Sequence, residues 1–148
     1  MGDIQIREME QDGDFALWFS ELLAETEETE ESGRAAEDRY LVLSNDIGDW
    51  IGGLHFTMRG GVAHLEDLAV LPSERHQGHA HRLLAAFEGH AVEAGAHLAE
   101  FWTDDLESES LLGALGWRVV LRREGYIGHR TWALLEKGLH PDPEAALT

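Results

Sequence analysis

Short stretches of alternating apolar and polar residues punctuate this chain, and two longer stretches carry apolar residues at helical spacing. Ile4 to Arg7 (IQIR) alternates and predicts a first strand. A helix is expected from a cap at Asp12 or Asp14 to about Ala24, with Phe15, Trp18, Phe19, Leu22 and Leu23 on one face. Glu21 to Asp38 holds eight acids and a single base, Arg34. That segment is too poor in apolar residues for a core, so it reads as a short second helix flanked by loop. Tyr40 to Leu43 (YLVL) is a second strand, ended by the turn-prone Ser44-Asn45-Asp46. Trp50 to Met58 (WIGGLHFTM) and Val62 to Leu71 are a third and a fourth, joined by a hairpin at Gly60-Gly61.

The main helix is expected from about Gln77 to Ala94, with Leu84, Phe87, Ala91 and Ala94 as its buried stripe and Gly95 as its C-cap. Leu98 to Trp102 follows as a fifth strand. Leu106 to Leu115 is a short helix closed by Gly116. Trp117 to Arg122 and Thr131 to Leu135 form the last strand pair, and Gly138 onward reads as a loose tail. The order is β-α-α-β-β-β-α-β-α-β-β: an α/β (α+β) fold of about seven strands and four helices. The sheet is mixed and mostly antiparallel, with one parallel crossover from the fourth strand through the main helix to the fifth. One domain is expected over residues 1–137, with a tail over 138–148.

Composition narrows the class. The chain has 148 residues, 43% of them hydrophobic, which suits one globular domain with a real core. No apolar run reaches the ~20 residues of a membrane helix. The opening MGDIQIREMEQD is acidic, unlike a signal peptide, and Ile6 stands where a myristoylation site wants Ser or Thr. Absence of cysteine excludes disulfides, thiolate metal sites and a cysteine nucleophile, so a cytoplasmic enzyme is the default expectation. Twenty-nine acids face eleven bases, for a net charge of −18, and Lys137 is the one lysine. Such a surface repels nucleic acid and anionic lipid. Because the acids are spread along the chain, the balance reads as adaptation to high salt; the alternative is a funnel for a cationic substrate.

The chemistry concentrates in Leu65 to Leu84, LEDLAVLPSERHQGHAHRLL: strand, turn at Pro72, loop, helix. Amides around Gly78, His79 and Ala80 open the helix without intrahelical acceptors, so free donors and the positive end of the helix dipole coincide there. Gly78 admits a phosphate to the main chain, and Arg75 adds a forked cation, with His76, His79, His81 and Arg82 nearby. This is a pyrophosphate cradle. Neither GxxxxGK[ST] nor GxGxxG is present, which argues against a nucleoside-triphosphate P-loop and a dinucleotide turn. His76, His79 and His81, at i, i+3 and i+5, do not share one helix face, so no metal site is expected. His55, His64 and His97 read as satisfied strand residues. The five tryptophans read mainly as core, with Trp18 and Trp50 as candidates for an acceptor pocket.

Arg75-x-x-Gly78-x-Ala80, preceded by Val70-x-Pro72, resembles the coenzyme A signature of the GNAT N-acyltransferase superfamily, and the element order resembles its fold over about residues 3 to 137. A second landmark of that family falls on Asp105, Ser108, Leu111, Leu112, Gly116 and Trp117, of which the glycine and the following aromatic match. The resemblance implies acetyl-CoA as co-substrate, held by Leu68, Ala69, Val70, Arg75, His76, Gln77, Gly78, His79, Ala80, Asp105 and Ser108. It also implies that the fourth and fifth strands splay apart to admit pantetheine, with the Leu68 N–H near the thioester oxygen. Glu66, in LEDLAV, resembles the acidic pair of spermidine/spermine N-acetyltransferases and is the expected general base, on the face of Leu68 if the strand is regular. Asp67 then points the other way. The family's acid is a tyrosine, but Leu112 stands there; Tyr126, Ser110 or Ser108, or no dedicated acid, are the readings left open. The implied activity is acetyl transfer to a primary amine of a small cationic molecule, polyamine- or aminoglycoside-like, or to a protein N-terminus. The alternative is a degenerate domain that binds acyl-CoA or a partner without catalysis. Expected partners are acetyl-CoA and an amine, with no nucleic acid and no membrane, and nothing in the sequence opposes a homodimer.

Overall fold

A computed structural model describes residues 4–9, 13–26 and 36–140. The chain divides into two compact units, residues 1–32 and 33–148. In the first, helix α1 (Asp14–Thr26) starts with Asp14 in its first turn, where a carboxylate complements the dipole. Phe15 lies on one helical face with Trp18 and Phe19, their ring centroids 5.5 and 5.8 Å from its own. Ile4 to Arg7 does not form the expected strand: no strand is assigned there, and Ile4 and Ile6 are 98% and 99% exposed. Alternation without a pairing partner does not make a strand, because main-chain hydrogen bonds need a neighbour. Of the segment from Glu21 to Asp38, where a short second helix is expected, residues 21–26 belong to α1, Glu37 and Asp38 open the first strand of the sheet, and residues 27–35 lie outside the described residues.

The second unit carries one six-stranded sheet, not seven, and among the described residues the chain has three α-helices rather than four. Its strands are β1 (Glu37–Ser44), β2 (Trp50–Arg59), β3 (Val62–Val70), β4 (Leu98–Thr103), β5 (Arg118–Arg123) and β6 (Trp132–Gly138). Helix α2 (His79–Glu93) links β3 to β4, and α3 (Leu106–Ala114) links β4 to β5. The spatial order is β1-β2-β3-β4-β6-β5, antiparallel everywhere except β3–β4. The parallel pair is the expected crossover through the main helix.

Turn chemistry accounts for the joints. Gly60 and Gly61 take φ of 57° and 84°, the left-handed pair that a two-residue hairpin demands. Gly61 has a second reason: a Cβ there would lie 2.6 Å from His97 Nδ1, while its carbonyl accepts from the His97 N–H at 2.8 Å. Both α2 and α3 end in the same way. After α2, the Gly95 N–H reaches Val92 O and the Ala96 N–H reaches Ala91 O; after α3, Gly116 reaches Gly113 O and Trp117 reaches Leu112 O. This paired closure needs a left-handed residue, and Gly95 and Gly116 supply it at φ 96° and 94°.

The core lies between the sheet and α2. Phe56, Phe87, Leu84 and Leu135 are its largest fully buried side chains, with Phe87 set edge-on to Phe56 at 5.0 Å and stacked near Trp117 at 6.3 Å. Trp117 is the one tryptophan in this cluster; Trp102 and Trp132 are half-buried, and Trp18 and Trp50 are exposed, so the tryptophans are not mainly core. Lys137, the single lysine, is structural: its ammonium meets Glu88 Oε1 on α2 and donates to Leu115 O after α3, both at 2.8 Å. Gly138 closes β6 rather than opening the expected tail. Leu139 is buried and its N–H donates to His97 O.

Candidate active site

The site is built on an interruption. Strands β3 and β4 pair only at Val62↔Leu98, Ala63↔Ala99 and His64↔Glu100. Beyond that rung β3 runs on to Val70 paired with β2 alone, so its other edge offers main-chain donors and acceptors with no strand beside them. Leu68, Ala69 and Val70 of this open edge line a cavity of about 690 Å³, within the usual range for a small-molecule site.

At the mouth of that cavity stands the start of α2. Its cap, Gly78, has φ 80° and no side chain to satisfy the first amides, and its first turn contains no acid. The first intrahelical bond is Arg82 N–H to Gly78 O, which leaves the preceding donors for something else. A Cβ built on Gly78 would meet nothing within 4 Å, so the cradle is open to an approaching group. The short 3₁₀ turn Pro72–Glu74 delivers Arg75, whose Nε donates to Val70 O at 3.2 Å and so ties the loop to the strand end. His76 is held at φ 63°, and His76, His79, Ala80 and His81 complete this wall.

His79 is buried, with both ring nitrogens lacking a hydrogen-bond partner and Glu74 Oε2 at 3.7 Å from Nε2. The opposite wall is the start of α3, where Asp105 caps the helix. Asp105 accepts from the Glu107 and Ser108 N–H groups at 3.1 and 3.4 Å and from the Ser108 hydroxyl at 2.9 Å. The Ser108 hydroxyl first, then the Glu107 amide, holds the Asp105 carboxyl below the usual carboxylate range. The sign follows: the cap is complete above ~3.9 and is lost as pH falls through the depressed value.

The cavity therefore gathers Leu68, Ala69, Val70, Arg75, His76, Gly78, His79, Ala80, Asp105 and Ser108 from the residues singled out in the sequence. Gln77 is placed elsewhere: with Arg82 and the β1–β2 turn it lines a separate cavity of about 390 Å³. Glu74 and Glu107 belong to the main cavity and were not foreseen, and Leu111, a position of the second landmark, lines it as well. Leu111 was legible as the residue one helical turn beyond Ser108; the glutamates carried no signal.

Glu66 does not share the face of Leu68. The β2–β3 register jumps from His55↔Asp67 to Phe56↔Leu65, which makes Glu66 the extra residue of a β-bulge. Past the bulge the side-chain phase is inverted, so Leu65 is buried in the core cluster while Leu68 and Val70 also pack against it. Glu66 instead accepts from the Thr57 hydroxyl at 3.0 Å and lines a cavity of about 370 Å³ with Thr57, Arg59, Val62, His64 and Glu100. Asp67 sits 3.9 Å from His55, which is bonded to Asp38 at 2.8 Å and stacked on Tyr40.

Tyr126 packs against Trp102 of β4 at 5.4 Å and Trp132 at 6.5 Å, with the Arg123 guanidinium 4.9 Å above its ring. Ser110 is exposed and does not line the main cavity, and Leu112 is buried in the core. Among the described residues no cluster of three or more His, Asp or Glu is placed to hold a metal ion, and no helix is long and apolar enough to cross a membrane.

A half-open parallel strand pair with an uncapped helix terminus at its mouth is an arrangement that suits an acyl-CoA-dependent transferase. The open β3 edge suits pantetheine, and the Arg75–Ala80 cradle suits the diphosphate. The family model of the GNAT acetyltransferases matches residues 4–117, and the chain belongs to that family, whose co-substrate is acetyl-CoA. No curated protein sequence matches the chain.

Solved structures share the fold. An acetyltransferase from Bacillus cereus ATCC 14579 superposes with a TM-score of 0.71 at 24% identity, covering 90% of this chain and 98% of its own. An aminoglycoside 6'-N-acetyltransferase complexed with coenzyme A gives 0.63 at 16% identity, over 72% of this chain and 76% of that one. The ribosomal-protein-S18-alanine N-acetyltransferase of Escherichia coli gives 0.64 at 16% identity, over 84% and 79%.

Proposed function

We propose that this acetyltransferase acts on the primary amine of a small cationic molecule. The observation that carries the reading is the bulge at Glu66, which puts a carboxylate on one side of the sheet while Leu68 to Val70 line the coenzyme cavity. The coenzyme supplies an acyl carbon on a good leaving group, and the chain holds it by the β3 main chain and the start of α2. From the other side, Glu66 and Glu100, which outnumber the single arginine of their cavity, Arg59, attract an ammonium, and a net charge of −18 adds a long-range pull. Amides fixed in β3, Leu68 among them, would serve the carbonyl oxygen without reorganising.

Polyamines and aminoglycosides fit this acidic face. A protein N-terminus carries one charge and would gain less from it. One observation favours a second reading, a coenzyme-binding module without transfer: the family's tyrosine position is Leu112, buried in the core, and Ser110 points no hydroxyl into the cavity. Thiol release from acetyl-CoA in the presence of an amine panel separates the two; coenzyme binding with no turnover on any amine would establish the module. Glu66→Gln is expected to lower kcat/KM for the amine by about 10- to 100-fold, an estimate from the loss of one charged contact. Coenzyme affinity should stay within about twofold, because Glu66 lies outside that cavity; equal losses in both would refute this placement.

A further inference from the structure

His64 and Glu100 occupy the last rung at which β3 and β4 still pair, at the apex of the gap that the coenzyme enters. Their side chains are joined, His64 Nδ1 to Glu100 Oε1 at 3.3 Å, and both face the cavity that holds Glu66. A carboxylate can only accept, so the Nδ1–H donates and Nε2 is left as the ring's acceptor. A carboxylate behind an imidazole fixes tautomer and orientation and stabilises the imidazolium that forms on proton uptake.

We propose that the His64–Glu100 pair takes the proton from the incoming ammonium, with Glu66 beside it holding that ammonium by charge; the inference rests on the acetyltransferase reading above. Glu66 is already engaged by the Thr57 hydroxyl, whereas His64 Nε2 is an acceptor on a ring that a carboxylate supports from behind. The groups that face His64 are Thr57 and Arg59 from β2, Glu66 from its own strand and Glu100 from β4. Behind Glu100 lies its register partner Glu136, which is engaged by Arg118.

The step balances. One N–H proton of the ammonium passes to His64 Nε2, and the freed lone pair forms the bond to the acyl carbon. The C–S bond breaks with its electrons on sulfur, a second nitrogen proton neutralises the thiolate, and His64 returns its proton to solvent. Amide, thiol and one proton are the products.

Nitrogen-15 NMR of the free, full-length protein and pH profiles of thiol release test this together. In the free protein His64 should carry its proton on Nδ1, and Glu100→Gln should release the ring to a mixture of tautomers. His64→Asn should lower kcat by about 100-fold and abolish the acidic limb of kcat/KM, a loss in the range of general-base removal. Its coenzyme affinity should stay within about twofold, since His64 lies outside the coenzyme cavity. Glu100→Gln, which leaves the imidazole in place, should lower kcat by about tenfold; it serves if His64→Asn does not fold. An Nε2–H tautomer, or an acidic limb that persists in an active His64→Asn enzyme, overturns the pair while the transferase reading stands. A wild-type protein that binds coenzyme but acetylates no amine overturns both.

Discussion

Gly78→Ala is expected to weaken coenzyme A binding by about 10- to 100-fold, or ~1.4 to ~2.7 kcal/mol, measured by isothermal calorimetry. Two effects add. At φ 80° a side chain costs ~1 to ~2 kcal/mol, because Cβ crowds the following carbonyl in the left-handed region. The new methyl then projects into the mouth of the cradle, since nothing of the protein lies within 4 Å of it. It therefore meets a bound diphosphate rather than a neighbouring side chain. The fold should survive, with a melting temperature lower by a few degrees, about what ~1 kcal/mol produces in a chain of this size. An unchanged affinity at an equally lowered melting temperature would mean that the phosphates do not reach these amides.

The largest effect on stability should come from Phe87→Ala. Phe87 is wholly buried and bridges two aromatic partners, Phe56 on β2 and Trp117 after α3. Its loss removes the ring's burial and opens a void that rigid strands on one side and a capped helix on the other cannot close, at a cost of ~3 to ~5 kcal/mol. Against a typical total of ~5 to ~15 kcal/mol, that leaves the protein near the edge of folding at 37 °C. Denaturant titration reads it directly. A loss below ~1 kcal/mol would show that α2 is not the keystone of this packing.

The elements that were legible in the sequence are those whose cause is local. The Gly60-Gly61 hairpin, the Gly95 and Gly116 helix ends, and the uncapped start of α2 at Gly78 are each dictated by one or two residues, and the structure places them within a residue or two of expectation. Ile4 to Arg7 failed because alternation states a preference that only a neighbouring strand can realise. The insertion of β6 between β4 and β5 is a matter of long-range pairing, on which no local pattern bears. The face of Glu66 failed for another reason: regular alternation was assumed through a bulge. Its trace was present, for Leu65 and Leu68 are both apolar at a spacing of three, which a strict two-residue period cannot place on one side. His64 beside Glu100 joins residues 36 positions apart, and nothing in either neighbourhood announces the other.

The extra residue in β3 separates what the interior of the protein requires from what its outer face carries. Exchange one amino acid for another at position 66 and the frame of the strand is kept. Delete it, and the strand returns to plain alternation: Leu65, Leu68 and Val70 keep the interior and Asp67 the outer face, so what goes is the local bend and one carboxylate. Position 66 is thus spare to the interior, and its occupant answers only to what lies on the outer face of the sheet.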